Sequence, residues 1–386
     1  MQKEQMLFAL LRNAVCNQTV LEGIKAACTA EMLEQVYTLA DRHDLAHLAG
    51  QALGKLNLPE ETIPPQYRTA TKQAIFRYMR IDHTYGQICA ALELGQIPFI
   101  PLKGSVLRAW YPEPWMRTSS DIDILVPEDR LEQATDVLTA RLQFTRGDKG
   151  NHDVSLFSPA GVHLELHYAT VVESDRIKQS SRVLSRVWED VTPVQPGACC
   201  QRMSDSMFYF YHIAHMAKHI AGGGCGIRPF LDLWVLNNRA DSNAVKPSHL
   251  LTEGGLLALA QAAERLSEVW FSGAESDPMT DRLAQYVLGG GVYGTMENNV
   301  TVQQGRRGGK LRYALTRIFL PYETIKYYYP VLQKHKWLLP VYQVVRWCKL
   351  LFKGGVKRSV RELKTNASMS RADMQSAEAL LQYLDL

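Results

Sequence analysis

Two aspartates stand two residues apart in the run DIDILV, where acidic side chains alternate with isoleucine and leucine. That alternation predicts a β-strand over 121–126, with Asp121 and Asp123 on one face and the apolar side chains on the other. Two carboxylates a few ångströms apart repel each other unless a cation lies between them. Carboxylate oxygens suit Mg²⁺, with Mn²⁺ as an alternative, so the pair predicts a metal site that could serve phosphoryl or nucleotidyl transfer.

A third carboxylate commonly completes such a site, and Glu165 is the best candidate. It lies in the middle of the strand-like run VHLELHYA, where His163, Glu165 and His167 share one polar face. A polar face inside an otherwise apolar strand is typical of a functional surface, although an edge strand could also produce it. We therefore predict Glu165 as the third ligand and His167 as a secondary site residue.

The Lys103-Gly104-Ser105 segment precedes the aspartates and predicts a phosphate-binding turn. Glycine lets the backbone approach a phosphate closely, and Ser105 is predicted to begin a short helix whose free N–H groups face an anion. Lys103 can place a positive charge on a phosphate. Arg117 and Ser119, just before the acidic strand, are predicted to hold the triphosphate of the same nucleotide or to fix the acidic strand.

Histidines recur on a later predicted helix, SMFYFYHIAHMAKHI, where His212, His215 and His219 share one face. The favoured interpretation is a polar face that lines or packs on the cleft; the alternative is contact of His215 and His219 with base, ribose or phosphate. Arg228 and Asp232 stand four residues apart on the next helix, which favours a salt bridge between them, with phosphate contact by Arg228 as the alternative.

The elements that must position these residues predict an α+β fold. A short apolar run, the acidic strand and a hairpin are separated by helical patterns and form a small mixed-sheet core with large helical regions on both sides. Strands are predicted over 97–102, 121–126, 153–158 and 162–169. The predicted division is a helical region over 1–94, the core over 95–195 and a helical region with a basic tail over 196–386.

The stretch PFIPLKGSVLRAWYPEPWMRTSSDIDILVP resembles the core of the DNA polymerase β-like nucleotidyltransferase superfamily. The closest resemblance is to a bacterial family of uncharacterised nucleotidyltransferases with the signature LKG…R…DID…ELH; the motif order is also similar to nucleotidyltransferase toxins of abortive-infection systems. The resemblance covers about 97–168 and implies that Gly104, Ser105, Asp121, Asp123 and Glu165 are site residues. It also implies Mg²⁺ and a nucleoside triphosphate, with ATP expected, but it does not fix the acceptor.

Composition is that of an ordinary globular protein: 386 residues, 46% apolar and 21% charged, which excludes wholesale disorder. Seven cysteines form no CxxC pair, and the N-terminus has an amphipathic helical pattern that lacks a secretion signal. No uncharged run reaches the roughly 20 residues that span a bilayer. We expect a cytoplasmic protein, with peripheral association at the membrane as a further option.

A basic region lies near the C-terminus. Residues 303–364 contain 15 Lys and Arg against two acidic residues, which predicts an anionic partner, either RNA or a membrane surface. The aromatic and leucine side chains between 337 and 352 are typical of an interfacial amphipathic helix. A terminal helix packed on the body with a basic outer face explains the same pattern.

Together these observations predict a metal-dependent enzyme that moves a nucleoside monophosphate from an NTP to an acceptor and releases pyrophosphate. The acceptor stays open between a protein hydroxyl, an RNA end and a small molecule, as do the base and the oligomeric state. The alternative is a catalytically inactive nucleotide-binding or regulatory module of the same fold.

Overall fold

A computed structural model describes residues 1–19, 22–170, 178–239, 247–292, 310–352 and 371–386. The N-terminal helices are α1 (Lys3–Val15), α2 (Glu22–Ala27), α3 (Ala30–Arg42), α4 (Ala46–Leu53) and α5 (Gln66–Leu94). The central elements are β1 (Ile100–Pro101), α6 (Gly104–Leu107), β2 (Asp121–Leu125), α7 (Leu131–Leu142), β3 (Thr145–Lys149), β4 (Asp153–Phe157), β5 (His163–His167), α8 (Lys178–Leu184), β6 (Val191–Pro193) and β7 (Gln201–Met203). The later helices are α9 (Asp205–Ala221), α10 (Arg228–Asn238), α11 (Ser248–Glu253), α12 (Leu257–Phe271), α13 (Pro278–Leu288), α14 (Lys310–Ile318), α15 (Tyr322–Tyr328), α16 (Val331–Lys334), α17 (Leu339–Phe352) and α18 (Arg371–Tyr383).

The central sheet has five strands in the order β1-β2-β5-β4-β3. It is mixed: β2 and β5 run parallel, and the other neighbouring pairs run antiparallel. The hairpin of β4 and β5 was expected from two alternating runs joined at Pro159-Ala160-Gly161, and Gly161 has the positive φ of 74° that this turn requires. The predicted α+β class, a small mixed sheet between large helical regions, is confirmed.

One predicted strand is shorter than expected, and three strands were not predicted. The run 97–102 forms a strand only at Ile100–Pro101, because Pro98 and Pro101 have no N–H to donate to a ladder. β3 was not predicted, since its sequence TRGDK is polar and exposed at every position and carries no alternation. The short pair β6 and β7 was missed as well, and it includes Pro193.

Two hydrophobic cores support the site. The sheet core packs α5 and α7 against the apolar face of the sheet, where Ile122, Ile124 and Leu164 are fully buried. The helical core gathers side chains of α1, α3, α4, α9, α10, α12 and the end of α18. The carboxylate face of β2 and β5 is turned away from the sheet core, so the acidic side chains and α9 line one cavity. The predicted domain boundaries stay a prediction.

The run EMLEQVYTLADRHDLAHLAGQAL over 31–53 has apolar residues at helical spacing throughout, yet it forms two helices and not one continuous helix. α3 ends at Arg42 and α4 begins at Ala46, and between them Asp44 takes a left-handed φ of 54°. Aspartate tolerates this conformation better than most residues because its short polar side chain can bond locally or to neighbours. The break turns the Asp44 carboxylate towards the loop that precedes β2, where it accepts a hydrogen bond from Thr118.

The basic region predicted over 303–364 lies partly outside the described residues, which here cover 310–352. Over that range the chain forms four short helices, α14 to α17. Among the described residues, no helix is both long and apolar enough to cross a membrane.

Candidate active site

The parallel pairing of β2 and β5 brings the predicted acidic residues together. It sets Asp123 opposite Glu165 and Asp121 opposite His163. One ligand atom each from Asp121, His163 and Glu165 lie within 4.8 Å of one another, and so do ligand atoms of Asp123, Glu165 and His167. Glu165 belongs to both groups, as expected if it stands within one ion's reach of the aspartate pair.

Asp123 is the buried centre of this arrangement, with 4% of its surface exposed. The Lys103 ammonium lies 2.7 Å from its Oδ1, and the Nε2 of His167 lies 2.9 Å from the same oxygen. Burial alone would raise the pKa of Asp123, but these neighbours outweigh it and hold that pKa far below its usual range. Burial likewise opposes the charge on Lys103, yet the Asp123 carboxylate keeps the Lys103 pKa above its ordinary value. The pair is therefore ionised.

Asp121 and Glu165 are in different electrostatic situations. Burial, and then the nearby charge of Asp123, raise the pKa of Asp121. Glu165 has a lowered pKa, chiefly because His167 hydrogen-bonds to it; their closest atoms lie 3.4 Å apart. Three carboxylates thus share one small region, where Lys103 contacts Asp123 and His167 contacts both Asp123 and Glu165. Oxygen donors at this spacing, with a like-charge repulsion that a cation would relieve, fit a hard divalent ion.

A cavity of about 390 Å³ opens over the carboxylates. Its opposite wall comes from α9 and the start of α10 and carries His215, Lys218, His219 and Arg228. Burial, followed by repulsion from Lys103, lowers the pKa of Lys218. The cavity therefore has an acidic wall formed by the carboxylates and a basic wall whose charge comes from Lys218 and Arg228.

The predicted phosphate turn divides between two cavities. Gly104 lines the acidic cavity, and a Cβ added there would meet the side chain of Ser119 at 3.4 Å, so the backbone approaches that loop closely. Ser119, which also lines the acidic cavity, accepts a hydrogen bond from Arg108. Ser105 instead lines a second cavity, together with Val106. The helix begins at Gly104, one residue earlier than predicted.

Arg117 lines the acidic cavity, but its guanidinium is held by a carboxylate from α10. Its Nε lies 2.7 Å from Asp232 Oδ1 and its Nη2 lies 2.8 Å from Oδ2, while Nη1 donates to the carbonyl of Thr118. The hydroxyl of Tyr111 donates to Asp232 Oδ1 at 2.7 Å. Asp232 is 1% exposed. This buried ion pair fixes the loop that leads into β2, and a direct phosphate contact by Arg117 stays a prediction.

The salt bridge predicted between Arg228 and Asp232 is wrong. Arg228 pairs with Asp44, both with its carboxylate and with its backbone carbonyl, and Asp232 pairs with Arg117. Two residues four apart on an exposed helix face often pair with each other. Here both side chains point into the protein, where charged groups far away in the sequence lie closer to them in space. The Nη1 of Arg77 lies 3.3 Å from Asp44 Oδ2, the same oxygen that Arg228 contacts. Two long-range carboxylate–arginine contacts therefore tie the helical regions to the site.

The three histidines of α9 do not form a metal group in the described chain. His212 is buried, and its Nε2 lies 2.9 Å from the carbonyl of Pro229. The Nε2 atoms of His215 and His219 lie 3.1 Å apart, and both residues line the acidic cavity. Burial and the charge of Lys218 lower the pKa of His219 to about 4, so this part of the wall is neutral at pH 7. The favoured interpretation, a polar face lining the cleft, describes His215 and His219.

Sequence reasoning missed several residues that line the cavity, among them Lys218, His152 and Asp153. Lys218 had a usable signal, because it follows His215 by three residues and so lies near it on the surface of the helix. His152 and Asp153 had none, since they stand at the start of β4 in a polar stretch.

A family model described as an uncharacterised nucleotidyltransferase matches residues 30–272. The chain belongs to this nucleotidyltransferase family. The match begins with α3 and ends after α12, so it includes the carboxylates, Lys218 and both long-range arginine contacts. No curated protein and no solved structure gives a significant match.

Proposed function

We propose that this nucleotidyltransferase moves a nucleoside monophosphate from an NTP, with ATP the expected donor, to a hydroxyl acceptor. In that reaction a bond forms between the acceptor oxygen and the α-phosphorus, and the bond from that phosphorus to pyrophosphate breaks. One observation carries the proposal: β2 and β5 pair in the register that gathers three carboxylates beneath a cavity with a basic opposite wall.

The acidic wall supplies the metal ligands in this proposal. Asp121, Asp123 and Glu165 would hold Mg²⁺ or Mn²⁺, for which carboxylate oxygens are suitable donors. The bound cation would neutralise triphosphate charge and make the α-phosphorus more electrophilic. His167 keeps Asp123 ionised and oriented through their hydrogen bond. Glu165, whose pKa is lowered, either completes the ion site or accepts the proton of the attacking hydroxyl.

The basic wall receives the triphosphate in this proposal. Lys218 lies on this wall, and Lys103 lines the same cavity from the acidic side, where it is paired with Asp123. Both would neutralise triphosphate charge, while Gly104 allows the backbone to come close. Arg228 lines the same wall but is already paired with Asp44, so we assign it to positioning. Ser119 stands next to Gly104 and is the hydroxyl placed to contact a phosphate; Ser105, on the second cavity, is a weaker candidate.

The test is transfer of label from α-labelled NTPs, with Mg²⁺ or Mn²⁺, to acceptors in a cell extract. We expect labelled protein, RNA or small molecule with the wild-type chain and loss of at least two orders of magnitude in rate with Asp121→Asn/Asp123→Asn. The matched control is Asp129→Asn, an exposed acid of which 79% of the side chain is accessible, and this variant should retain full activity.

The outcomes separate the alternatives. Label that persists in the double variant would remove the carboxylates from the site assignment. If the wild-type chain and the Asp129→Asn control bind NTP saturably and with equal affinity, but neither labels any acceptor, the inactive nucleotide-binding module would be favoured. The chemical class of the labelled product identifies the acceptor.

A further inference from the structure

The segment 310–352 is a small structural unit of its own. Ile325 and Leu332 are fully buried, yet neither belongs to the helical core or the sheet core. The side chain of Gln343 bonds both the N–H and the carbonyl of Leu320. The indole of Trp347 donates to the carbonyl of Ile318 at 2.9 Å. These contacts join α14, α15, α16 and α17, so the segment holds its shape through its own interactions.

This unit exposes an unusual amount of apolar surface. Of the sixteen large apolar side chains that are exposed in the described parts of the chain, eight lie in this segment: Leu315, Ile318, Phe319, Tyr328, Val331, Trp337, Val341 and Val344. Trp337 is the most exposed of the sixteen, at 75%. Single exposed apolar residues are ordinary on a protein surface, but a concentration in one short segment marks an interaction surface.

The same unit is strongly cationic. Residues 310–352 contain eight Lys and Arg and one acidic residue, Glu323, which pairs with Lys326. Lys334, Lys336 and Lys349 are exposed, and Lys336 directly precedes Trp337. The next twelve residues of the sequence add five more Lys and Arg and one Glu. The family match ends at residue 272, so this surface is additional to the part that the family shares.

We infer that the segment 310–352 docks on an anionic lipid surface. Basic side chains attract acidic headgroups, and exposed tryptophan with aliphatic neighbours enters the boundary between headgroups and acyl chains. RNA would account for the charge but not for exposed Val341 and Val344, because phosphate contacts come from basic and polar groups. The nucleotidyltransferase cavity would then work close to the membrane.

The experiment is flotation of the full chain with vesicles of phosphatidylcholine alone or with about one third phosphatidylserine. We expect binding to the anionic vesicles only. Binding should weaken between about 0.1 M and about 1 M salt, because the screening length falls from about 10 to about 3 Å over that range. Trp337→Ser/Val341→Ser should reduce the partition coefficient at least tenfold. Lys336→Gln/Lys349→Gln should reduce it by about fivefold for each charge removed near the surface.

The control variant changes one exposed aromatic residue and one exposed lysine outside the segment 310–352. Phe76→Ser/Lys72→Gln alters a 63% exposed phenylalanine and an exposed lysine on α5, and it should bind vesicles like wild type. All four changed positions of the test variants were chosen because they are exposed, and an unchanged unfolding midpoint confirms that the fold is intact. The inference is overturned if the wild type ignores anionic vesicles, if control and test variants lose binding alike, or if the chain retains a single-stranded RNA oligonucleotide but no vesicle.

Discussion

Replacing Asp232 by alanine should strongly destabilise the protein, although Asp232 is not one of the proposed ligands. Its carboxylate accepts two hydrogen bonds from Arg117 and one from Tyr111, all between 2.7 and 2.8 Å. The guanidinium side chain of Arg117 is only 11% exposed. Removal of the carboxylate would leave a buried cation without its partner.

The magnitude follows from that burial. Removing one member of a buried ion pair typically costs about 3–5 kcal/mol in free energy of unfolding, because the remaining charge stays desolvated. The Tyr111 hydroxyl loses its acceptor as well, and an unsatisfied buried donor costs about 1–3 kcal/mol, part of which overlaps with the first figure. We therefore expect a loss of about 4 kcal/mol, a large share of the 5–15 kcal/mol that is typical of a folded domain.

The assay is urea unfolding followed by circular dichroism, with an internal comparison in the same chain. Arg146 and Glu132 form a two-bond pair of the same kind, at 2.8 and 3.0 Å, but its side chains are 39% and 61% exposed. Glu132→Ala should leave the free energy of unfolding close to wild type, because water replaces the lost bonds. If Asp232→Ala destabilises no more than Glu132→Ala, the argument from burial is refuted.

A double substitution tests the role of Arg117. Arg117→Met/Asp232→Leu replaces the ion pair with apolar groups of similar volume and should recover at least half of the stability lost in Asp232→Ala. The rate of nucleotidyl transfer by this double variant then distinguishes two roles of Arg117. Activity that returns with stability means that Arg117 only positions the loop before β2; activity that stays low in a stable double variant means that the guanidinium also contacts phosphate.

Three further predictions concern the cavity and the helical region. Glu165→Gln should weaken Mn²⁺ binding at least tenfold in calorimetry, because a carboxylate shared by both ligand groups loses its charge, and unchanged affinity would point to another ligand set. Lys218→Met should weaken NTP binding at least tenfold while Lys55→Met, an exposed control, has no effect. Burial lowers the pKa of both His43 and His47 to about 4. Unfolding lets each ring take up a proton below about pH 6.5, so stability should fall between about pH 6.5 and 4, by at most about 3 kcal/mol for each. His219, whose pKa is also lowered to about 4, adds to the same fall. In urea unfolding at each pH, His47→Gln should make the fall smaller by up to about 3 kcal/mol, and an undiminished fall would show that other groups cause it.

The acidic centre was predictable because its signal is local. Alternation in DIDILV and VHLELHYA places Asp121, Asp123 and Glu165 on polar faces of two strands, whatever those strands pair with. Alternation does not predict which strands pair. Glu165 lies opposite Asp123 only because β5 pairs with β2 in parallel and in this register. The family resemblance supplied that step, since it implied a third acid on a later strand.

The arginine contacts were not predictable for the opposite reason. Arg228 and Asp232 have the spacing of a local helix pair, and sequence spacing alone favours that pair. The structure instead joins Asp232 to Arg117 and Arg228 to Asp44. These partners are separated by more than a hundred residues, and each pair exists because tertiary packing buries both groups together. The break at Asp44 was missed for the same reason. Its left-handed backbone places the carboxylate against Thr118 and Arg228, which are far away in the sequence.

Helix α5 has 29 residues and is therefore about 44 Å long. Near its start Tyr67 is buried in the helical core, and near its end Ile81, Ile88 and Leu92 are buried in the sheet core. One continuous helix contributes to both cores, so unfolding of either core removes packing that holds α5 in place for the other core. This favours a single cooperative unfolding transition. A fragment that begins at residue 95 would expose to water the part of the sheet's apolar side that α5 covers. The smallest piece that folds around the aspartates must begin upstream of Ile81.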